Sequence, residues 1–228
     1  MRLLSAILLA TLPAVAASQS HHEPPKEPQV LAPGYSTLEF AAPEPGSYAL
    51  PPLGSAADGE LLDSSGTPVK LHELYDDKTI VLSFIYTSCP DVNGCPLATF
   101  VLSQVQQRLT SAPQTMANVR MVTVSFDPAN DTPTVMADYG RHFRNAAIDW
   151  RFLTASSEDS LTPILDDYDQ SVIRDRSPDG KVLTTMSHIL RVYLIDADKK
   201  IRNIYSPSYL HPDLLYADIR TVMNDDTQ

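Results

Sequence analysis

Thr79-Ile80-Val81-Leu82-Ser83-Phe84-Ile85-Tyr86-Thr87-Ser88-Cys89-Pro90-Asp91-Val92-Asn93-Gly94-Cys95-Pro96 is the stretch on which the reading of this chain turns. Its first half, Thr79 to Tyr86, is a dense run of β-favouring residues. Continuous apolar character predicts a strand buried on both faces of a sheet. Its second half is a loop carrying both of the chain's cysteines. Pro96 suits the first turn of a helix, where a missing N–H costs nothing. Leu97, Val101, Val105 and Leu109 then recur every four residues and share one helix face.

Downstream, Val119 to Phe126 predicts a second core strand. Thr132-Pro133 supplies a capping hydroxyl and a proline for a helix start, and Val135, Met136, Tyr139 and Phe143 give that helix its buried stripe. Trp150 to Leu153 predicts a short strand, and Glu158 to Tyr168 a helix. Ile189 to Ile195 predicts a strand that turns at Ala197-Asp198 into a partner, Ile201 to Tyr205. Pro212 to Met223 ends the domain as a helix. Upstream, Ser64-Ser65-Gly66-Thr67 predicts a turn between two short strands. The core order β, α, β, α, β, α, β, β, α calls for an α/β fold, a central sheet with helices on both faces.

The flanks divide the chain further. Arg2 followed by the apolar run Leu3 to Ala17, with Ala14-Val15-Ala16 in small-x-small form, reads as a signal peptide over residues 1–18. The run is shorter than the roughly 20 residues that cross a bilayer, so an uncleaved anchor is the weaker alternative. Residues 19–45 are rich in Pro, Glu and Ser and read as a flexible tether. Residues 46–228 form the expected domain. The chain is therefore expected to be exported to a bacterial periplasm and soluble after cleavage. Its formal net charge of −11 argues against nucleic acid as a partner. That charge suits a basic partner such as a cytochrome, or simply maintains solubility.

The only two cysteines are separated by five residues. In an exported chain such a pair indicates a disulfide, a redox couple or a metal site. Cys95 precedes Pro96 at a helix start, where first-turn N–H groups favour a thiolate, so it is expected to feel that field most, with Cys89 folding back over the same helix end as the alternative. Two thiolates and an imidazole form a soft donor set suited to copper, above all Cu(I), or to zinc. His188 is the candidate third ligand. It stands just before the strand expected over Ile189 to Ile195. If that strand runs antiparallel beside the one ending near Cys89, its start lies at the cysteine edge. His72, His142 and His211 have weaker claims. His21, near a new amino terminus if cleavage follows Ser18, is a further Cu(II) chelation option.

Several segments together resemble the SCO/SenC family of copper proteins involved in cytochrome oxidase assembly. They are Phe84 to Val92, Val124-Ser125-Phe126-Asp127-Pro128 with Asp131-Thr132-Pro133, Trp150 to Thr154, and Ser187-His188 with Val192 to Asp196. The resemblance implies a thioredoxin-like fold with an added N-terminal β-hairpin. It also implies Cys89, Cys95 and His188 as metal ligands. Asp127 and Asp131, and Asp91 in the cysteine loop, are candidates for orienting the site or binding a partner, with loop and helix capping as the simpler reading. Members usually have three residues between the cysteines, so the five here mark a divergent loop.

Three functions follow from these residues together with what the resemblance implies. The first is a copper metallochaperone that delivers to an exported copper-site client such as a cytochrome oxidase subunit. The second is a thiol–disulfide oxidoreductase acting on a copper-site apoprotein, with Cys89 and Cys95 as its catalytic pair and a thiol reductase as possible partner. The third is a non-enzymatic redox or electron-transfer module. The spacing is not C-x-x-C, and Met186-Ser187-His188 lacks the proline expected of a general thioredoxin.

Overall fold

Thr79–Ile85, the run that decides the fold, is a strand with all seven residues buried in the computed structural model, which describes residues 29–143 and 148–225. Successive side chains of a strand point to opposite faces, so complete burial requires cover on both sides of the sheet.

Before that strand come Gly54–Ser55 (β1), Glu60–Leu62 (β2), Pro68–Lys70 (β3) and a short helix, Leu71–Tyr75 (α1). β2 and β3 pair antiparallel as the expected N-terminal hairpin. The Asp63 carboxylate closes their turn by accepting the Ser65 and Thr67 N–H groups at 2.8 and 3.0 Å. After Thr79–Ile85 (β4) follow Cys95–Leu109 (α2), Pro113–Ala117 (α3), Val119–Ser125 (β5), Pro133–Arg141 (α4), Asp149–Leu153 (β6) and Glu158–Asp167 (α5). The chain continues with Val172–Arg176 (β7), Val182–His188 (β8), Val192–Ile195 (β9), Lys200–Tyr205 (β10) and Pro212–Asp225 (α6).

The central sheet runs β1-β10-β9-β4-β5-β6. β4, β5 and β6 are parallel, while β9 is antiparallel to β4. Helices flank the sheet. Leu97, Val101, Val105 and Leu109 are fully buried, as their spacing predicts. Each such side chain contributes roughly 1.5–3 kcal/mol of burial free energy. Thr132 caps α4 by accepting the Val135 N–H, and Ser157 and Ser160 form a reciprocal capping box on α5.

Two expectations need correction. The strand expected over Ile189 to Ile195 begins only at Val192. His188 instead ends β8, which pairs antiparallel with β7 in a separate hairpin that was not anticipated. Its signal is present: Ser177-Pro178-Asp179-Gly180 is a turn sequence, and Gly180 adopts φ 84° there. The tether expected over residues 19–45 also holds packed structure. Pro33–Tyr35 forms a 3₁₀ turn with Gly34 buried. A Cβ on Gly34 would stand 2.3 Å from the Leu210 carbonyl oxygen, so only glycine allows this approach. The expected signal peptide and His21 lie outside the described residues.

Candidate metal centre

Three elements bring the site together. β4 ends at Ile85, and the chain leaves the sheet through Tyr86 and Thr87 into Cys89. Cys95 is the first residue of α2. His188 is the last residue of β8. Val192 of β9 pairs with Ser83 near the end of β4, so the antiparallel arrangement puts the approach to β9 at the cysteine edge.

The imidazole Nε2 of His188 lies 3.4 Å from Cys95 Sγ and 3.9 Å from Cys89 Sγ. All three donor atoms fall within 4.8 Å of one another. A metal ion with bonds of about 2.0–2.3 Å to three such donors in a plane would separate them by roughly 3.5–4 Å. Two sulfurs and one nitrogen are a soft set, suited to Cu(I), and the two sulfur–nitrogen distances fit. The His188 Nδ1 is buried with no hydrogen-bond partner among the described residues. The ring is instead held edge-on by Tyr86 at 5.9 Å and beside Phe126 at 4.9 Å between centroids.

Both cysteines are free thiols, and their surroundings differ. A hydrogen bond from the Cys95 thiol is the largest influence on Cys89. Burial opposes it, and contacts from His188 and the Cys95 backbone N–H add to it, so Cys89 is held down at about 4. Burial pushes the Cys95 thiol well up, and the neighbouring Cys89 charge pushes it further. Of the two cysteines the sequence sets at this helix end, the structure charges the one that folds back. The helix start favours a thiolate, but that thiolate is Cys89, which folds back over the first turn, and not the buried Cys95. Tyr86 supports both ends. Its N–H donates to Cys95 Sγ at 3.4 Å, and its hydroxyl accepts the Met186 N–H at 3.3 Å. Burial, then the Cys89 charge, push that hydroxyl up to about 12, against the Met186 contact.

The cysteine loop is shaped by Asp91. Its carbonyl accepts the Gly94 N–H at 2.9 Å and its carboxylate the Asn93 N–H at 3.0 Å. A Cβ on Gly94 would sit 3.3 Å from the Asp91 carbonyl and 3.4 Å from Cys89 Sγ. Asp131 is buried and accepts from the Thr87 N–H at 2.9 Å, the Thr87 hydroxyl and the Ser125 hydroxyl at 2.6 Å. It ties the start of the cysteine loop to the end of β5. Asp127 accepts from Asn130 at 2.8 Å and from Arg174 of β7 at 2.7 Å. Asp131 and Asp127 thus brace the loops that carry the donors, and neither is among the clustered donors.

His72 bonds the Ala56 carbonyl, His142 the Asp138 carbonyl and His211 the Ser36 carbonyl; none joins the cluster. Sequence reasoning missed Arg174, Tyr86 and Phe126 as supports of the histidine. Only the unread hairpin signal could have pointed to Arg174. Among the described residues no helix is long and apolar enough to cross a membrane.

Residues 55–224 match the SCO1/SenC family. A SCO2-like protein of Rickettsia felis is 26% identical over 152 residues, 66% of this chain and 69% of that protein. The SCO1 protein homolog of Bacillus subtilis is 23% identical over 144 residues, 63% of this chain and 69% of its own. The structure of Bradyrhizobium japonicum ScoI with copper bound superposes with a TM-score of 0.60 at 24% identity, covering 74% of this chain and 99% of that one. Apo Sco1 from Thermus thermophilus gives 0.61 at 25% identity, covering 78% and 96%. These likenesses agree with the thioredoxin-like sheet, its flanking helices and the β2–β3 hairpin. With most of its length matched, the chain belongs to the SCO1/SenC family.

Proposed function

We propose that this protein is a copper metallochaperone that holds Cu(I) through Cys89, Cys95 and His188 and passes it to an exported copper-site client. The single observation that carries this reading is the convergence of two sulfurs and one imidazole nitrogen within 4.8 Å. Support also comes from relatives: ScoI proteins of Arabidopsis thaliana and Bradyrhizobium japonicum have been solved with copper bound. BsSco is described as a member of the Sco family of cytochrome c oxidase assembly proteins, which makes a cytochrome oxidase subunit the leading client.

The half-exposed Cys89 thiolate is the donor an incoming client reaches first. Cys95 and the imidazole hold the cargo from the inner side. Transfer then proceeds by exchange of one donor at a time, so the ion is never released to water. The apolar run Leu3 to Ala17 with Ala14-Val15-Ala16 supports export to the periplasm.

The exposed thiolate beside a buried thiol also favours a second reading, reduction of a client disulfide. Cys89 attacks one client sulfur, forming a mixed disulfide and releasing the other as a thiolate. Cys95 then gives up its proton and attacks Cys89 Sγ, freeing the second client thiol. Two electrons pass to the client, and a thiol reductase must restore the pair.

Anaerobic titration of the reduced protein against a Cu(I) competitor tests the first reading. One tightly held ion per chain is expected, lost in Cys89→Ser and in Cys95→Ser. Wild type binding no more copper than either serine variant would refute it.

A further inference from the structure

We infer that Tyr35 and Asn93 are positioning residues for the sulfur pair, acting by clamping the cysteine loop onto the segment Ala32–Ser36. The inference rests on the reading of Cys89 and Cys95 as working thiols, and its main readout needs no metal.

The loop between the cysteines holds five residues, and closing a loop costs more entropy as it lengthens. Local hydrogen bonds accepted by Asp91 order only part of it. The remainder is fixed from outside. The Asn93 side-chain oxygen accepts the Ala32 N–H at 2.7 Å. The Tyr35 hydroxyl donates to the Val92 carbonyl. Both bonds fall in the middle of the loop, and both donors come from one short segment of chain about sixty residues upstream.

That segment is anchored independently of the loop. Gly34 is seated against the Leu210 carbonyl, with no room for a Cβ. His211 Nε2 lies 3.0 Å from the Ser36 carbonyl oxygen. The Tyr35 ring packs on Phe100 of α2 with centroids 4.9 Å apart. The same Tyr35 ring lines a cleft with Cys89, Cys95 and Pro96. A fixed segment therefore grips the cysteine loop beside its sulfurs.

A clamped loop raises the effective concentration of each sulfur at the other. It favours every product that needs both, the intramolecular disulfide and the two-sulfur metal chelate alike. Loosening the clamp weakens both without removing a donor.

The test measures the Cys89–Cys95 disulfide against glutathione in metal-free full-length protein, alongside unfolding in urea. Tyr35→Phe keeps the ring on Phe100 and deletes only the hydroxyl. Ala32→Pro removes the N–H at a φ of −63°, within the proline range, and sets a ring carbon against the Asn93 oxygen in its place. Asn93→Ala removes the acceptor. Each is expected to lower the disulfide equilibrium constant about tenfold, which is a rise of about 30 mV in reduction potential. Phe40→Ala, an exposed change just beyond that segment, should leave it within twofold. If Tyr35→Phe and Ala32→Pro both match wild type, the inference is overturned. It is equally overturned if they change the urea midpoint and leave the potential alone. A tenfold shift in a protein that binds no Cu(I) would uphold the clamp and reject the copper reading.

Discussion

Arg174 and Asp127 are 47 residues apart in sequence, and the guanidinium lies 2.7 Å from the carboxylate. Asp127 is 1% exposed and Arg174 28%, so the bond is largely shielded from water. Arg174 also reaches Glu158 at 2.6 Å. Arg174 belongs to β7, whose partner β8 ends at His188, and Asp127 belongs to the loop after β5. One ion cluster therefore sets where the hairpin stands, and hence where the imidazole stands relative to the sulfurs.

Arg174→Ala should leave Asp127 buried without its cation, at a stability cost of about 1–3 kcal/mol. Arg174 acts through the hairpin and is not bonded to the ring, so Cu(I) affinity should fall, by no more than the roughly 10-fold at the low end for groups bonded directly to a ligand, with donors intact. A competitor titration beside a urea melt checks both. Wild-type affinity in the variant would show that the hairpin is held some other way.

Cys89 carries the thiolate in the reduced, metal-free protein. Its titration lies well below that of an ordinary thiol, so lowering the pH from about 8 to about 6 should leave its alkylation by iodoacetamide nearly constant. An ordinary thiol, titrating near 8.5, slows close to tenfold per pH unit over that range. Cys95, buried and held protonated, should stay unmodified in the folded protein. Mass spectrometry of the peptides reads the two sites separately. A tenfold loss per unit at Cys89 would mean that its sulfur does not sit over the helix start.

Asp131 accepts three hydrogen bonds that join Thr87 to Ser125. Asp131→Ala should cost about 3 kcal/mol, because hydrogen bonds to a charged acceptor are strong and three donors lose their partner. Urea unfolding of the reduced protein measures this. A loss below about 1 kcal/mol would mean that water replaces the carboxylate at little cost.

The parts of the fold legible in the sequence were those with a strong local pattern. The β4 run announced a doubly covered strand, and the four-residue recurrence from Leu97 to Leu109 announced the buried face of α2. The sequence places His188 just before a strand expected over Ile189 to Ile195, although that strand begins at Val192 and His188 itself ends β8. That hairpin was hidden because Ile173, Val182 and Leu183 are exposed, so its apolar residues follow no core periodicity. Arg174 and Asp127 carry no shared motif, and only folding makes them neighbours. The charge on Cys89 is half legible: the Asn93-Gly94 turn lets the loop curl back over the first turn of α2, but the burial that keeps Cys95 protonated exists only in the fold. Tyr35 lay in a Pro-rich stretch whose composition reads as a tether.

The most direct test is X-ray absorption at the copper edge of the anaerobic Cu(I)-loaded protein, compared with His188→Ala. Wild type should show two sulfur donors and one nitrogen donor, and the variant should lose the nitrogen alone. A wild-type spectrum with sulfur donors only, or a nitrogen donor that survives in His188→Ala, would contradict that donor set.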